Sequence, residues 1–418
     1  MTLSPTRRHI LFALVLSASI LNLIDRQIIA VLKPEIAGEL GWTDNDYGTL
    51  AAWFQGAAAV AFLFTGWVVD RLGVKWANPI GVAAWSLAAF AHGWARTMTE
   101  FILCRVTLGA TEAMGTPAAI KTIAMIFPPA RRATGFGISN AVGSVGAIVT
   151  PLIIPAVALL WGWRSAFLLG GALGLLWAAA WLIASRGVDF GDRKAPVAPL
   201  PSAVPPAAPG SILKDRQTWA IAIAKLLSDA TWWLMLFWMP DFFHRSFGLE
   251  GLALGPPLAI AYGCGAAGSL IAGAISTRLL EAGHSVGAVR KGSLLVSALL
   301  VTPVPLALYT GHYWMTVALL GLTIGAHQAF STNLFALIAD VTPPAKVGRV
   351  TSFGAFSGNL GGMLIAKIAG LLLTAGYGYL PLFLFAACSY LVAIGWIQLL
   401  IPRMGPAEGG ETALAMGH

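Results

Sequence analysis

Charged residues are scarce in this sequence: Asp, Glu, Lys and Arg make up 11% of 418 residues, against about 25% in a soluble domain. A chain so poor in charge cannot cover a water-facing surface. There are only three cysteines, Cys104, Cys264 and Cys388, and each lies in an apolar stretch. They build no disulfide framework and say nothing about redox compartment. No H-E-x-x-H, no G-x-S-x-G and no cysteine cluster occurs, so metalloenzyme or hydrolase chemistry lacks its parts, and neither metal nor cofactor is expected. The net charge of +8 is not gathered into blocks, which argues against nucleic acid as a partner. No small-residue cleavage site follows the first apolar run, which carries Asp25 and Arg26 and is read as a retained helix.

Apolar residues are abundant instead, at 57%. Twelve stretches of about 20 residues each are long enough to cross a bilayer. They cover 9–32, 47–69, 77–95, 99–127, 134–160 and 164–184, then 218–241, 254–277, 291–310, 314–341, 350–374 and 380–402. The expected fold is therefore an all-α membrane protein of twelve transmembrane helices in two six-helix halves. The first half spans 1–184 and the second 218–403. Between them 185–217 contains APVAPLPSAVPPAAPG, a semi-stiff Pro/Ala linker with no core of its own. Residues 404–418 read as a disordered tail.

With the N-terminus inside, seventeen Lys and Arg residues fall in cytoplasmic connections and four (Lys33, Arg96, Arg164, Arg245) in outer loops. That bias places both termini in the cytoplasm. FPPARRATG after the fourth stretch is echoed by VTPPAKVGR after the tenth, 215 residues later. Repeated halves with charges near the middle of the membrane are the layout of a secondary transporter. A channel built on strict repetition would carry like charges in both halves, and these halves differ.

The fourth stretch holds Arg105 and Glu112. Seven residues are two helical turns, so both side chains share one face. A charge in mid-bilayer costs at least about 2.5 kcal/mol, so the stripe marks either a polar pathway or a static ion pair between helices. Asp25 and Arg26 are adjacent and point about 100° apart on a helix. One arrangement turns Arg26 into a central cavity and Asp25 toward the fourth stretch and Arg105. A carboxyl poised between burial and a neighbouring arginine titrates when either changes, which suits Glu112 to carry a proton. Lys225 and Asp229, four residues apart, are expected to pair. Trp232, Trp233 and Trp238 offer rings to a sugar face or to the membrane interface. Gln328 and Asn333 suit either substrate hydroxyls or interhelical hydrogen bonds, and Asn140 lies in a Gly-rich stretch where close packing competes with binding. His327 is expected to be a satisfied core histidine.

Certain motifs carry a resemblance. GWVVDRLGVK at 66–75 resembles the signature that the major facilitator superfamily carries between its second and third helices. NLIDRQ at 22–27, GATEAMGTPAAIK at 109–121, DATWW at 229–233 and AHQAFSTNLF at 326–335 are similar to the anion:cation symporter family, in its hexuronate and galactonate branch. The resemblance implies a proton-coupled symporter that imports a carboxylate-bearing solute, a sugar acid such as a hexuronate or aldonate. The alternative is a uniporter or exchanger for a different monocarboxylate. It further implies proton coupling at Asp25 and Glu112. Substrate contacts are expected from Arg26, Arg105, Asn140, Trp232, Gln328 and Asn333, and a conformational latch at Gly66, Asp70, Arg71, Gly73 and Lys75. The chain is expected to act as a monomer in a bacterial inner membrane, with a small anion and a proton as partners. Leu23 and Ala58 stand where the family has tyrosines, and Met114-Gly115-Thr116 where it has Gly-Asn-Phe. These changes remove polar contacts and leave the charged set complete.

Overall fold

The structure, a computed structural model, describes residues 4–190 and 211–404. The described residues form helices and short turns, with no strand among them. Before 191 the helices are α1 (Pro5–Val31), α2 (Lys33–Leu40), α3 (Asp44–Phe62), α4 (Thr65–Leu72), α5 (Val74–Ala91), α6 (Met98–Glu112), α7 (Gly115–Ile126), α8 (Pro129–Trp161) and α9 (Trp163–Ala184). After 210 come α10 (Arg216–Phe247), α11 (Gly255–Glu281), α12 (Val286–Val301), α13 (Tyr313–Val341), α14 (Pro344–Thr374) and α15 (Leu380–Leu400). Each of the twelve expected stretches falls on one of these helices or on two in succession. Eight described helices are long and apolar enough to cross a membrane, and α3 with α4, bent by 57°, makes a ninth if the pair is one span. Most of the expected linker, 191–210, and the tail, 405–418, lie outside the described residues.

The helix starts follow their capping residues. Thr43 accepts from the Asp46 amide at 3.2 Å while the Asp46 carboxylate accepts from the Thr43 amide at 2.9 Å, and Thr97 with Glu100 repeats the arrangement at the start of α6. Such reciprocal caps satisfy two donors that a helix end leaves bare. The fourth stretch, expected as one helix, is two: α6 stops at Glu112 and α7 starts at Gly115. Pro117 has no N–H to give to the Ala113 carbonyl, so the ladder cannot run through this point. The turn from α4 to α5 passes through Gly73 at φ +71°, a conformation that glycine adopts without strain.

The bundle closes at the end away from the termini, here the far end. α3 and α14 touch there backbone to backbone: a methyl group on Gly48 would come within 2.7 Å of the Ala366 carbonyl. Asn45 donates its amide to Thr374 at 2.9 Å, and Lys367 donates to Asn45 and Thr49 at 2.6 and 2.8 Å. Beside this seam sits an ion cluster. Lys33, 3% exposed, pairs with Asp44 at 2.6 Å and with Asp241. Arg245 reaches the same two carboxylates, with Asp241 at 2.7 Å. The Tyr379 hydroxyl donates to Asp241, and the Lys33 ammonium lies 4.7 Å from the centre of the Trp238 ring. On the flank, Glu39 of α2 accepts from Arg164 and, at 2.7 Å, from the Trp163 indole, and these donors hold its carboxyl below the usual range. The ion cluster ties the start of α2, α3, α10 and the entry to α15 together, so separation at this end must break buried charge pairs.

Removing one member of such a cluster leaves the others without answers. Asp241→Ala strips Lys33, Arg245 and Tyr379 of a shared acceptor and is expected to destabilise the protein by about 3 kcal/mol. Scanning fluorimetry of the purified variant should show a fall of several degrees in apparent melting temperature. An unchanged midpoint would mean that the cluster does not hold this end shut.

Candidate functional site

The centre of the α1–α9 region holds four charged groups: Asp25, Arg26, Arg105 and Glu112. Arg26 of α1 donates its Nε to Glu112 Oε2 at 2.6 Å, with side-chain exposures of 14% and 0%. Glu112 closes α6 and Arg105 lies two turns earlier, 1% exposed. The two share a helix face, yet the partner of Glu112 is Arg26. Nε and one terminal nitrogen of Arg105 have no acceptor among the described residues, and neither has Glu112 Oε1 a donor. The Arg105 guanidinium instead lies 5.9 Å from the centre of the Phe54 ring, within reach of a cation–π attraction.

Asp25 departs from the arrangement expected of it. It is buried, both of its carboxyl oxygens lack a partner among the described residues, and Oδ1 is 2.7 Å from where a methyl on Gly170 would sit. It packs on α9 and makes no hydrogen bond to Arg105, although Arg105 and Glu112 both lie within electrostatic range of it. The reason is rotational: once Arg26 reaches Glu112, its neighbour is swung about 100° around α1.

Aromatic rings border the pair. The Arg26 guanidinium is 5.5 Å from the Phe54 centroid and 5.6 Å from that of Trp233. Trp233 stacks on Phe237 at 5.6 Å, and Phe54 meets Phe237 edge-on at 6.3 Å. Trp232, the ring expected at the site, stacks on His327 at 5.4 Å instead. His327 Nδ1 is 2.8 Å from the Tyr390 hydroxyl, as a satisfied core histidine should be. Along α1 from Arg26, a cavity of about 100 Å³ opens between α1, α5 and α7, lined by Ser19, Asn22, Asn78, Trp85 and Thr116 among others. Its volume admits about three waters.

The remaining candidates divide. Gln328 packs its stem near Gly265 of α11. Asn333 accepts from Ser276 at 2.8 Å and donates to the Ala329 carbonyl at 3.1 Å. Both lie on the side of α13 that meets α11, apart from Arg26. The side chain of Asn140 is outside the described residues. Lys225 and Asp229 pair at 2.6 Å. The residues expected to form a latch lie around the α4–α5 corner: Asp70 meets Lys121 at 3.0 Å, and Arg71 lies 5.3 Å from the Trp67 ring. Gly66 is on α4, and Lys75, on the first turn of α5, accepts from Trp181 through its carbonyl at 3.2 Å. Sequence reasoning passed over Phe54, whose ring carried no signal among so many apolar neighbours, and named Trp233 only as one of three candidate rings. The described residues contain no group of three or more His, Cys, Asp or Glu poised for a metal.

Residues 15–325 match the family model of the Major Facilitator Superfamily. The hexuronate transporter of Escherichia coli (strain K12) is 28% identical over 397 residues, 90% of either chain. The D-galactonate transporter of Escherichia coli O6:H1 is 24% identical over 421 residues, 96% of this chain and 97% of that one. In fold, the chain is similar to a solved bacterial homolog of the human lysosomal transporter Spinster in an inward-facing and occupied conformation. The TM-score is 0.77 at 18% identity, covering 97% of this chain and 100% of the other.

The Arg26–Glu112 pair makes a stability cycle informative. Arg26→Ala leaves a buried carboxylate without its cation and is expected to cost about 3–5 kcal/mol, read as a lower melting temperature in detergent. Adding Glu112→Gln should restore most of the loss. Additive losses in the double variant would show that the two side chains do not depend on each other.

Proposed function

The chain belongs to the Major Facilitator Superfamily and is a multi-pass membrane transporter, not an enzyme; on that premise we propose that it imports a sugar acid together with a proton. The relatives named for hexuronate and galactonate transport support the substrate class. The observation that carries the coupling is the closed Arg26–Glu112 pair, buried beside an unpartnered Arg105 and an unpartnered Asp25.

A guanidinium grips a carboxylate with two parallel N–H donors, and burial strengthens the grip. While Glu112 is ionised, Arg26 is engaged. A proton on Glu112 weakens that pair and frees Arg26 for the carboxylate of the solute, so proton and anion are taken up together. Asp25 is the second protonatable group of the cluster. Trp233, rather than Trp232, stands beside Arg26 and is the ring available to a sugar face. The two halves, 1–184 and 218–403, rock about the site. The termini and the α4–α5 latch face the cytoplasm of a bacterial cell, as the excess of Lys and Arg on that side supports. The far-end ion cluster then faces outward, and the protein works as a monomer.

Proteoliposomes test this directly. D-glucuronate, D-galacturonate, D-galactonate and D-galactarate are offered with and without an acid-outside gradient. Electroneutral one-to-one symport accumulates the solute up to about tenfold per pH unit. Glu112→Gln is expected to abolish accumulation while leaving counterflow. Counterflow in the wild type without gradient-driven accumulation would establish the exchanger or uniporter instead. Accumulation that survives in Glu112→Gln would remove that residue from coupling.

A further inference from the structure

Phe54 occupies a position that no charge or motif announces. Its ring is fully buried and is shared by two guanidiniums, Arg26 at 5.5 Å and Arg105 at 5.9 Å from its centre. Its backbone is pressed onto α6 at Gly109, where a methyl group would come within 2.2 Å of the Phe54 carbonyl. Gly109 falls between Arg105 and Glu112 on the same stretch of helix, four residues after one and three before the other. The ring is therefore held level with both charges. Its edge meets Phe237 of α10, on which Trp233 stacks, and Trp233 is the other ring facing Arg26.

Two like charges sharing a buried site repel unless something negative lies between or beside them. Among the described residues, Glu112 is the carboxylate of this set that is hydrogen-bonded, and Arg26 holds it. Arg105 feels the fields of Glu112 and Asp25 without a hydrogen bond to either, and the negative face of the Phe54 ring adds a directional attraction. We propose that Phe54 is a positioning residue for the coupling site: it holds Arg105 off Glu112, so that Arg26 alone hydrogen-bonds the carboxylate. When Glu112 takes up its proton, Arg26 is released to the solute while the Phe54 ring still holds Arg105 aside. The groups that bear on Glu112 are Asp25 and Arg26 from α1 and Arg105 from α6. Tyr47 of α3 and His92, just past the end of α5, flank Arg105, and Lys121 of α7 is engaged by Asp70.

This role rests on the proton-symport reading, and one experiment separates the two. Sugar-acid uptake is measured as a function of external pH in proteoliposomes for wild type, Phe54→Leu, Phe54→Tyr and Trp233→Leu. Without the Phe54 ring, Arg105 joins Arg26 on Glu112, and two cations make the carboxylate harder to protonate. The pH of half-maximal uptake should move down by about one unit in Phe54→Leu and stay near wild type in Phe54→Tyr, which keeps the ring. Trp233→Leu, on α10, does not disturb the α3–α6 contact. It removes a ring that competes with Glu112 for Arg26 and should move the half-point in the same direction. Loss of maximal rate with an unmoved pH profile in both Leu variants would reduce Phe54 to a packing residue and overturn the proposal. If Phe54→Leu fails to fold, Trp233→Leu decides alone by the same criterion. If the wild type shows no proton-driven uptake, the symport reading fails and this role of Phe54 falls with it.

Discussion

A charge removed from water and left unanswered costs several kcal/mol, and the middle of this bundle contains four charged residues. Two of them, Arg26 and Glu112, answer each other at 2.6 Å. The other two, Arg105 and Asp25, are as deeply buried and make no hydrogen bond to a carboxylate or a cation. With two positive and two negative groups the set is neutral when fully ionised. Every alternative pairing therefore changes partners without changing total charge. Such a set can rearrange at small energetic difference, which a single optimised salt bridge cannot do. Its imbalance in bonding is the property a coupling site needs.

Backbone features hold that set in place. α6 ends at Glu112, close before Pro117, which removes one rung of the ladder, so the carboxyl sits at a helix terminus rather than in the interior of a straight rod. Gly109 lets α3 approach α6 to backbone contact, and Phe54 arrives at the level of both arginines as a result. Gly170 leaves room for Asp25 on α9. Two glycines and the helix break before Pro117 thus decide where Phe54, Asp25 and Glu112 lie.

The far end supplies a second constraint. Lys33, Asp44, Asp241, Arg245 and Tyr379 form a closed network in which every charge is answered by at least one other, unlike the central set. A satisfied network favours one geometry, and an unsatisfied one tolerates several. The closure and the central charged set are joined by α10, which carries Asp241 and Arg245 at one level and Phe237 and Trp233 below. Movement of this helix is felt at both.

The membrane class, the crossing helices and the charged residues of the centre were legible in the sequence. Hydrocarbon-length apolar runs leave few other folds open, and a charge within such a run is conspicuous. Partnership was not. Helical periodicity places Arg105 and Glu112 on one face and says nothing of which cation from another helix arrives first; Arg26 does. Nor could it distinguish Trp232 from Trp233, which differ by one residue and by about 100° of rotation. It spread Gln328 and Asn333 into the site, whereas the packing of α13 on α11 draws them away. Composition and spacing determined which side chains must be buried and must carry charge. Tertiary structure alone decided which of them meet, because that depends on helix rotation and on glycine contacts between segments distant in the chain.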